Sequence, residues 1–115
     1  MNYKQTTQTP NSLFDIHLRA LSESQLKVLL IIVRRTLGYM SKKYTGRRVE
    51  KAWITQRLFT MLTGLSARAV SEAIEELSKK RIIQVYNESG REVFTSKERQ
   101  FSAKLYFSSK SLLDD

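Results

Sequence analysis

The chain has 115 residues, enough for one domain, and a domain of that length buries roughly two-thirds of its unfolded surface. Apolar residues at 41% and charged residues at 27% exclude wholesale disorder. The 20 Lys and Arg outnumber the 11 Asp and Glu to leave a net charge of +9, which points to a polyanionic partner, either nucleic acid or an anionic membrane surface. Cysteine is absent, so there is no disulfide framework, thiolate zinc finger or cysteine nucleophile, and the single His17 forms no HExxH pair. The polar opening MNYKQTTQTPNS predicts no signal peptide, and the longest apolar run, from Val28 to Val33, is far too short to span a membrane. These features describe a basic, cytoplasmic, non-enzymatic protein with no cofactor.

In chain order, residues 1–12 carry Thr, Gln, Asn and the only proline, Pro10, and read as a flexible arm. Residues 13–21, with Leu13, Phe14, Ile16 and Leu21, read as partly helical, with an extended segment clamped to the core as the alternative. Ser22 precedes Gln25 at capping-box spacing, and Leu26, Leu29, Leu30, Val33 and Leu37 then form one helical stripe that ends at Gly38. The neighbouring face, Val28, Ile31 and Ile32, needs a cover: the Leu13–Phe14 stretch or a second copy of the chain, hence a possible homodimer. A loop follows, with residues 49–54 expected to pair as a short strand.

Thr55 is the expected N-cap of a helix bearing Leu58, Phe59 and Leu62. Gly64 then permits a left-handed turn, and Ser66 caps a helix whose Val70, Ala73, Ile74 and Leu77 repeat at i, i+3, i+4, i+7. Residues 82–86 are β-rich, Asn87-Glu88-Ser89-Gly90 is turn chemistry, and residues 101–107 alternate like a half-buried strand. The body of the domain is thus residues 13–108, and residues 109–115 read as a solvated tail.

Helix, basic loop with a strand, helix, tight turn, helix and hairpin make a mostly α protein with a small β-hairpin, a winged helix-turn-helix. Two short amphipathic helices joined by a glycine-containing turn let the second stand proud of the body. Leu65, apolar within the turn, plugs the angle between them, and the hairpin from residue 82 to residue 107 forms the wing.

The stretches LSESQLKVLLIIVRRTLGY and WITQRLFTMLTGLSARAVSEAIEELSKKRIIQVY, with TPNSLFD near the start, resemble the N-terminal domain of phage replication protein O. The resemblance runs from about Thr9 to Tyr86, and TGLSxxxVxxAIxxLxxxxII is its most specific part. It implies a winged-helix protein of a phage or mobile element that binds repeats in a replication origin. The family also has a long C-terminal region that recruits the replicative helicase; this chain ends at Asp115, so helicase recruitment is not expected of it.

The expected DNA contacts follow from helical geometry. With Val70, Ala73, Ile74 and Leu77 inward, Ala67, Arg68, Ser71, Glu72, Glu75 and Lys79 face outward, behind the Ser66 cap. Arg68 suits a guanine, Ser71 a base or phosphate, and Glu72 or Glu75 cytosine N4, unless the carboxylates simply pair with Arg68 or Lys79. Lys42, Lys43, Arg47 and Arg48 sit in a loop with no helix to stabilise and suit phosphates, as do Gln56 and Arg57 at a helix start. Arg91, Lys97 and Arg99 lie in the wing, and Trp53 reads as a core or packing residue rather than a base-stacking platform. No nucleophile stands beside Asp15 and His17, and the carboxylates are not paired for acid–base work.

The leading expectation is sequence-specific binding of double-stranded DNA at a replication origin, hence a nucleoid-associated protein with no membrane partner. A small transcriptional regulator on the same fold is the first alternative. A winged-helix protein-interaction module, using the Val28, Ile31 and Ile32 face, is the second.

Overall fold

The computed structural model describes residues 9–36 and 51–113. The first element among the described residues is a π-helical turn over Leu13–His17 that runs into α1 (Leu18–Ala20). Helix α2 (Glu23–Arg35) begins with the expected capping box: the Ser22 hydroxyl accepts from Gln25 N, and the Gln25 side chain accepts from Ser22 N. It ends at Thr36, short of the expected stop at Gly38, which lies outside the described residues.

The order that follows is β1 (Ala52–Trp53), α3 (Gln56–Thr63), α4 (Ala67–Lys79), β2 (Gln84–Tyr86), α5 (Ser96–Gln100) and β3 (Tyr106–Ser108), with a 3-10 turn at Lys110–Leu113. The three strands form an antiparallel sheet in the order β1-β3-β2, with Phe107 opposite both Ala52 and Val85. Helix, strand, two helices and two strands closing one small sheet make a mostly α, winged-helix-like fold.

The core forms where α2 packs on α3, α4 and β3. Val28, Leu29, Ile32 and Val33 of α2 are buried there. The expected stripe was therefore rotated: Leu30 is exposed, while Val28 and Ile32 of the second face are fully covered within one chain. Ile31, the third residue of that face, is half-buried and lines a groove with Leu30 and Leu62. From α4, Val70, Ala73, Ile74 and Leu77 are buried as expected. Phe59 of α3 meets Phe107 of β3 edge to face, with centroids 5.2 Å apart and planes at 80°.

Local signals set the helix ends. Thr55 accepts from Leu58 N, Ser66 from Ala69 N, and Gly64 takes φ +75°. Leu65 is half-buried against the core, as a plug between α3 and α4 should be. At the far end of α4 a Schellman pattern forms, with Ile82 N bonded to Leu77 O and Arg81 N to Ser78 O. Arg81 holds its left-handed position at φ +62°, where glycine is the usual occupant.

The second half of the expected wing differs from the sequence reading. Residues 101–107 are not one strand: only Tyr106–Ser108 pairs, Phe101 is 80% exposed, and the preceding polar stretch is helix α5. Thr95-Ser96-Lys97-Glu98 is a helix-starting signature, with Thr95 Oγ1 accepting from Glu98 N and Glu98 Oε1 accepting from Phe94 N. This cap starts the five-residue α5, whose end at Phe101 leaves only the last part of the expected strand to pair.

The last described residues are packed. Ser109 and Leu112 are buried, Thr36 Oγ1 lies 2.8 Å from Ser109 Oγ and donates to Ile32 O, and Ser111 Oγ donates to Ile82 O. At the other end Pro10 is buried, and Ser12 Oγ donates to Leu112 O at 2.7 Å.

Candidate nucleic-acid interface

Helices α3 and α4 are joined by Gly64-Leu65-Ser66 and locked at their N-termini by one side chain: Gln56 Nε2 donates to Ala67 O at 2.7 Å. This bond ties the start of α3 to the first turn of α4. Gln56, expected at phosphate, thus has a positioning contact as well, while Arg57 beside it is exposed.

Helix α4 presents a polar strip between two flanks. Arg68 stands at its centre with 89% of its side chain exposed, and its Nε meets Glu72 Oε1 at 3.1 Å. Such an exposed i,i+4 pair is weak, about 0.3–0.5 kcal/mol, and can open without harm to the helix. Glu72 lies on the side of α2, sharing a groove with Ser22 and Gln25. Ser71 and Glu75 are half-buried on the other side, where α5 packs. Lys79 is exposed and sits 3.9 Å from Glu76, so it too has a partner on its own helix.

Helix α5 accounts for the largest departure from the sequence reading. Arg99 was expected in an exposed wing; only 7% of it is exposed, and its Nη2 donates to Ser71 O at 3.4 Å. Its Nη1 is buried with no hydrogen-bond partner among the described residues. Burial lowers the guanidinium's affinity for its proton below the ordinary value, and the nearby Glu75 charge partly restores it. Lys97 on the same helix, and Arg91 beyond the Asn87 turn, are exposed as expected.

Gln56, Ala67, Arg68, Ser71 and Arg99 line one cleft of about 470 Å³ between the N-terminal end of α4 and α5. Five residues from three elements are thus brought together, four of them among the expected site residues. Lys42, Lys43, Arg47 and Arg48 lie outside the described residues. Gln100 and Leu105 also line the cleft and were missed; the capping signature at Thr95 was the available clue to a helix there.

The outer face of the sheet carries a second feature not anticipated. Trp53 is not a core residue: it is 53% exposed, opposite Tyr106, which is in turn opposite Tyr86. Lys104 Nζ lies 4.5 Å from the Trp53 ring centroid and Lys51 Nζ lies 3.9 Å from that of Tyr86, so both ammonium groups rest on aromatic faces. Beside this sheet, Glu88 Oε2 accepts from Ala103 N at 3.0 Å and Lys104 N at 3.4 Å. Bonding from its own amide and from those of Lys104 and Ala103 holds this carboxyl below the usual glutamate range.

Among the described residues, no group of three or more His, Asp or Glu is placed to hold a metal ion, and no helix is long and apolar enough to cross a membrane. No curated protein and no solved structure matches the chain significantly. The family model for bacteriophage replication protein O, in contrast, matches residues 6–98. With the helix-turn-helix and strands β1 and β2 inside the matched span, the chain belongs to the bacteriophage replication protein O family and has a role in phage replication.

Proposed function

We propose that this protein is a non-catalytic binder of double-stranded DNA that lays the N-terminal half of α4 in a major groove at a phage replication origin. The observation that carries the reading is Arg68. It is a long, exposed cation in the first turn of a helix whose start is held by the Gly64 turn, the Ser66 cap and the Gln56 bond. In this reading Arg68 leaves Glu72 to make a bidentate contact with guanine, and Glu72 becomes free to accept from cytosine N4. Lys42, Lys43, Arg47, Arg48, Arg57, Arg91 and Lys97 grip phosphates and set the register, and Ser71 and Glu75 border the groove beside α5. The net charge of +9 supports a phosphate-rich partner, and family membership supports the origin as the place.

The test is a salt titration of binding to a random duplex, with Arg68→Ala and a Lys42→Gln/Lys43→Gln variant alongside. Neutralising about 5 phosphates gives a slope of log affinity against log salt near roughly −4 to −5. The loop variant should flatten that slope, whereas Arg68→Ala, whose proposed contact is to a base, should change it less. A folded protein that fails to bind duplex DNA at low salt would rule the reading out.

A further inference from the structure

We infer that the cleft between the N-terminus of α4 and helix α5 is a seat for one phosphodiester group of bound DNA, with Arg99 as its floor. The inference rests on the duplex-binding reading above and adds a specific site to it.

The first observation is the state of Arg99. Arg99, 7% exposed as a residue, has no ion-pair partner within reach among the described residues, one long bond to Ser71 O, and a buried Nη1 with no acceptor. Buried polar atoms are almost always satisfied, and an apolar side chain of the same length would fill this position without leaving a charge unpaired. Stability therefore gives no reason for an arginine here; an anion that enters the cleft does. Arg99 lines the cleft, and its Nη1, out of reach of solvent, meets a group seated there only when the side chain turns towards the opening.

The second observation is what surrounds it. Ala67 and Arg68 bring the first turn of a 13-residue helix to the same cleft. The first backbone N–H groups of a helix lack intrahelical partners and carry its positive end, and Ser66 Oγ takes only that of Ala69 in this turn. Arg68 and Gln56 line the cleft too, although Arg68 Nε is paired with Glu72 and Gln56 Nε2 with Ala67 O. Glu75 is the opposing charge: it acts on Arg99 from four residues beyond Ser71, outside ion-pair distance, so the seat retains a net positive character. A duplex with α4 in its major groove carries its backbone past the N-terminus of that helix, which is where the cleft opens.

The experiment compares the protein with Arg99→Met, reading thermal unfolding and the salt dependence of binding to a random 25-base-pair duplex. The seat predicts an unchanged or raised melting temperature, a salt slope shallower by about 0.9, and weaker duplex binding. A purely structural Arg99 predicts a lower melting temperature with the slope unchanged, and that result overturns the seat while leaving duplex binding by the parent protein intact. Loss of duplex binding by the parent protein itself would remove both readings. Should Arg99→Met fail to fold, the parent protein supplies the answer: duplex should shift the Arg99 Nε–H and the Ala67 and Arg68 amide resonances. Unmoved resonances overturn the seat. So does a shift produced by inorganic phosphate but not by duplex, which would make the cleft a site for the free ion.

Discussion

The contact between Phe59 and Phe107 joins the helix-turn-helix to the sheet, and its strength can be read by a double-mutant cycle. Phe59 is fully buried on α3 and Phe107 is 1% exposed on the central strand, so each Phe→Leu change removes buried ring surface and leaves a small void. Each single change should destabilise by about 1–2 kcal/mol. The edge-to-face geometry adds about 0.5–1.5 kcal/mol that both single variants lose and the double variant loses only once. With about 1.5 kcal/mol for each single variant, the double variant should therefore sit near 2 kcal/mol, not near 3. In a domain of this size about 1 kcal/mol moves the melting temperature by roughly 4 °C, well within reach of circular dichroism, and urea unfolding gives the free energies directly. Additivity to within about 0.3 kcal/mol would mean that the rings do not meet and that the register of β3 against α3 is wrong.

Three further outcomes follow from local geometry. Arg81 occupies a left-handed position at φ +62° that a side chain tolerates poorly, so Arg81→Gly should raise stability by about 0.5–1 kcal/mol in urea unfolding; a loss would show that the exposed Arg81–Glu92 contact outweighs backbone strain. Glu72→Gln releases Arg68 and removes a carboxylate from the proposed DNA face, so random-duplex affinity should rise several-fold while stability changes by less than about 0.5 kcal/mol, as paired filter-binding and unfolding curves would show. Glu88 is held below the usual glutamate range by backbone amides, so its folded form binds the proton less readily than its unfolded form. Its contribution is complete above the unfolded pKa and is lost as pH falls through the lower folded value; Glu88→Gln should remove that acid-side decline from a series of unfolding curves, and an unchanged decline would assign it to another carboxylate.

Much of the fold was legible because it is written in short-range chemistry. A hydroxyl three residues ahead of a free amide, a glycine where φ must be positive, and apolar residues at i, i+3, i+4 and i+7 act within one or two turns. Ser22, Thr55, Gly64, Ser66 and the Val70–Leu77 stripe could therefore be placed from the sequence. The helix-turn-helix and its family resemblance followed from the same residues. What covers each surface is a property of distant parts of the chain. Two adjacent faces of α2 were equally apolar, and only the arrival of α3, α4 and β3 determined that Val28 and Ile32 are interior while Leu30 is not. The same holds beyond β2, where the alternation of residues 101–107 suggested a strand but strand pairing depends on a partner the local pattern does not specify. The most consequential case is Arg99. By sequence it is one more cation in a polar connection, and only the packing of α5 against α4 removes it from solvent and sets it beneath a cleft at the start of the exposed helix. Residue type and spacing determined the elements and their charge; tertiary packing alone determined which charges remain in water, because desolvation depends on neighbours brought from elsewhere in the chain.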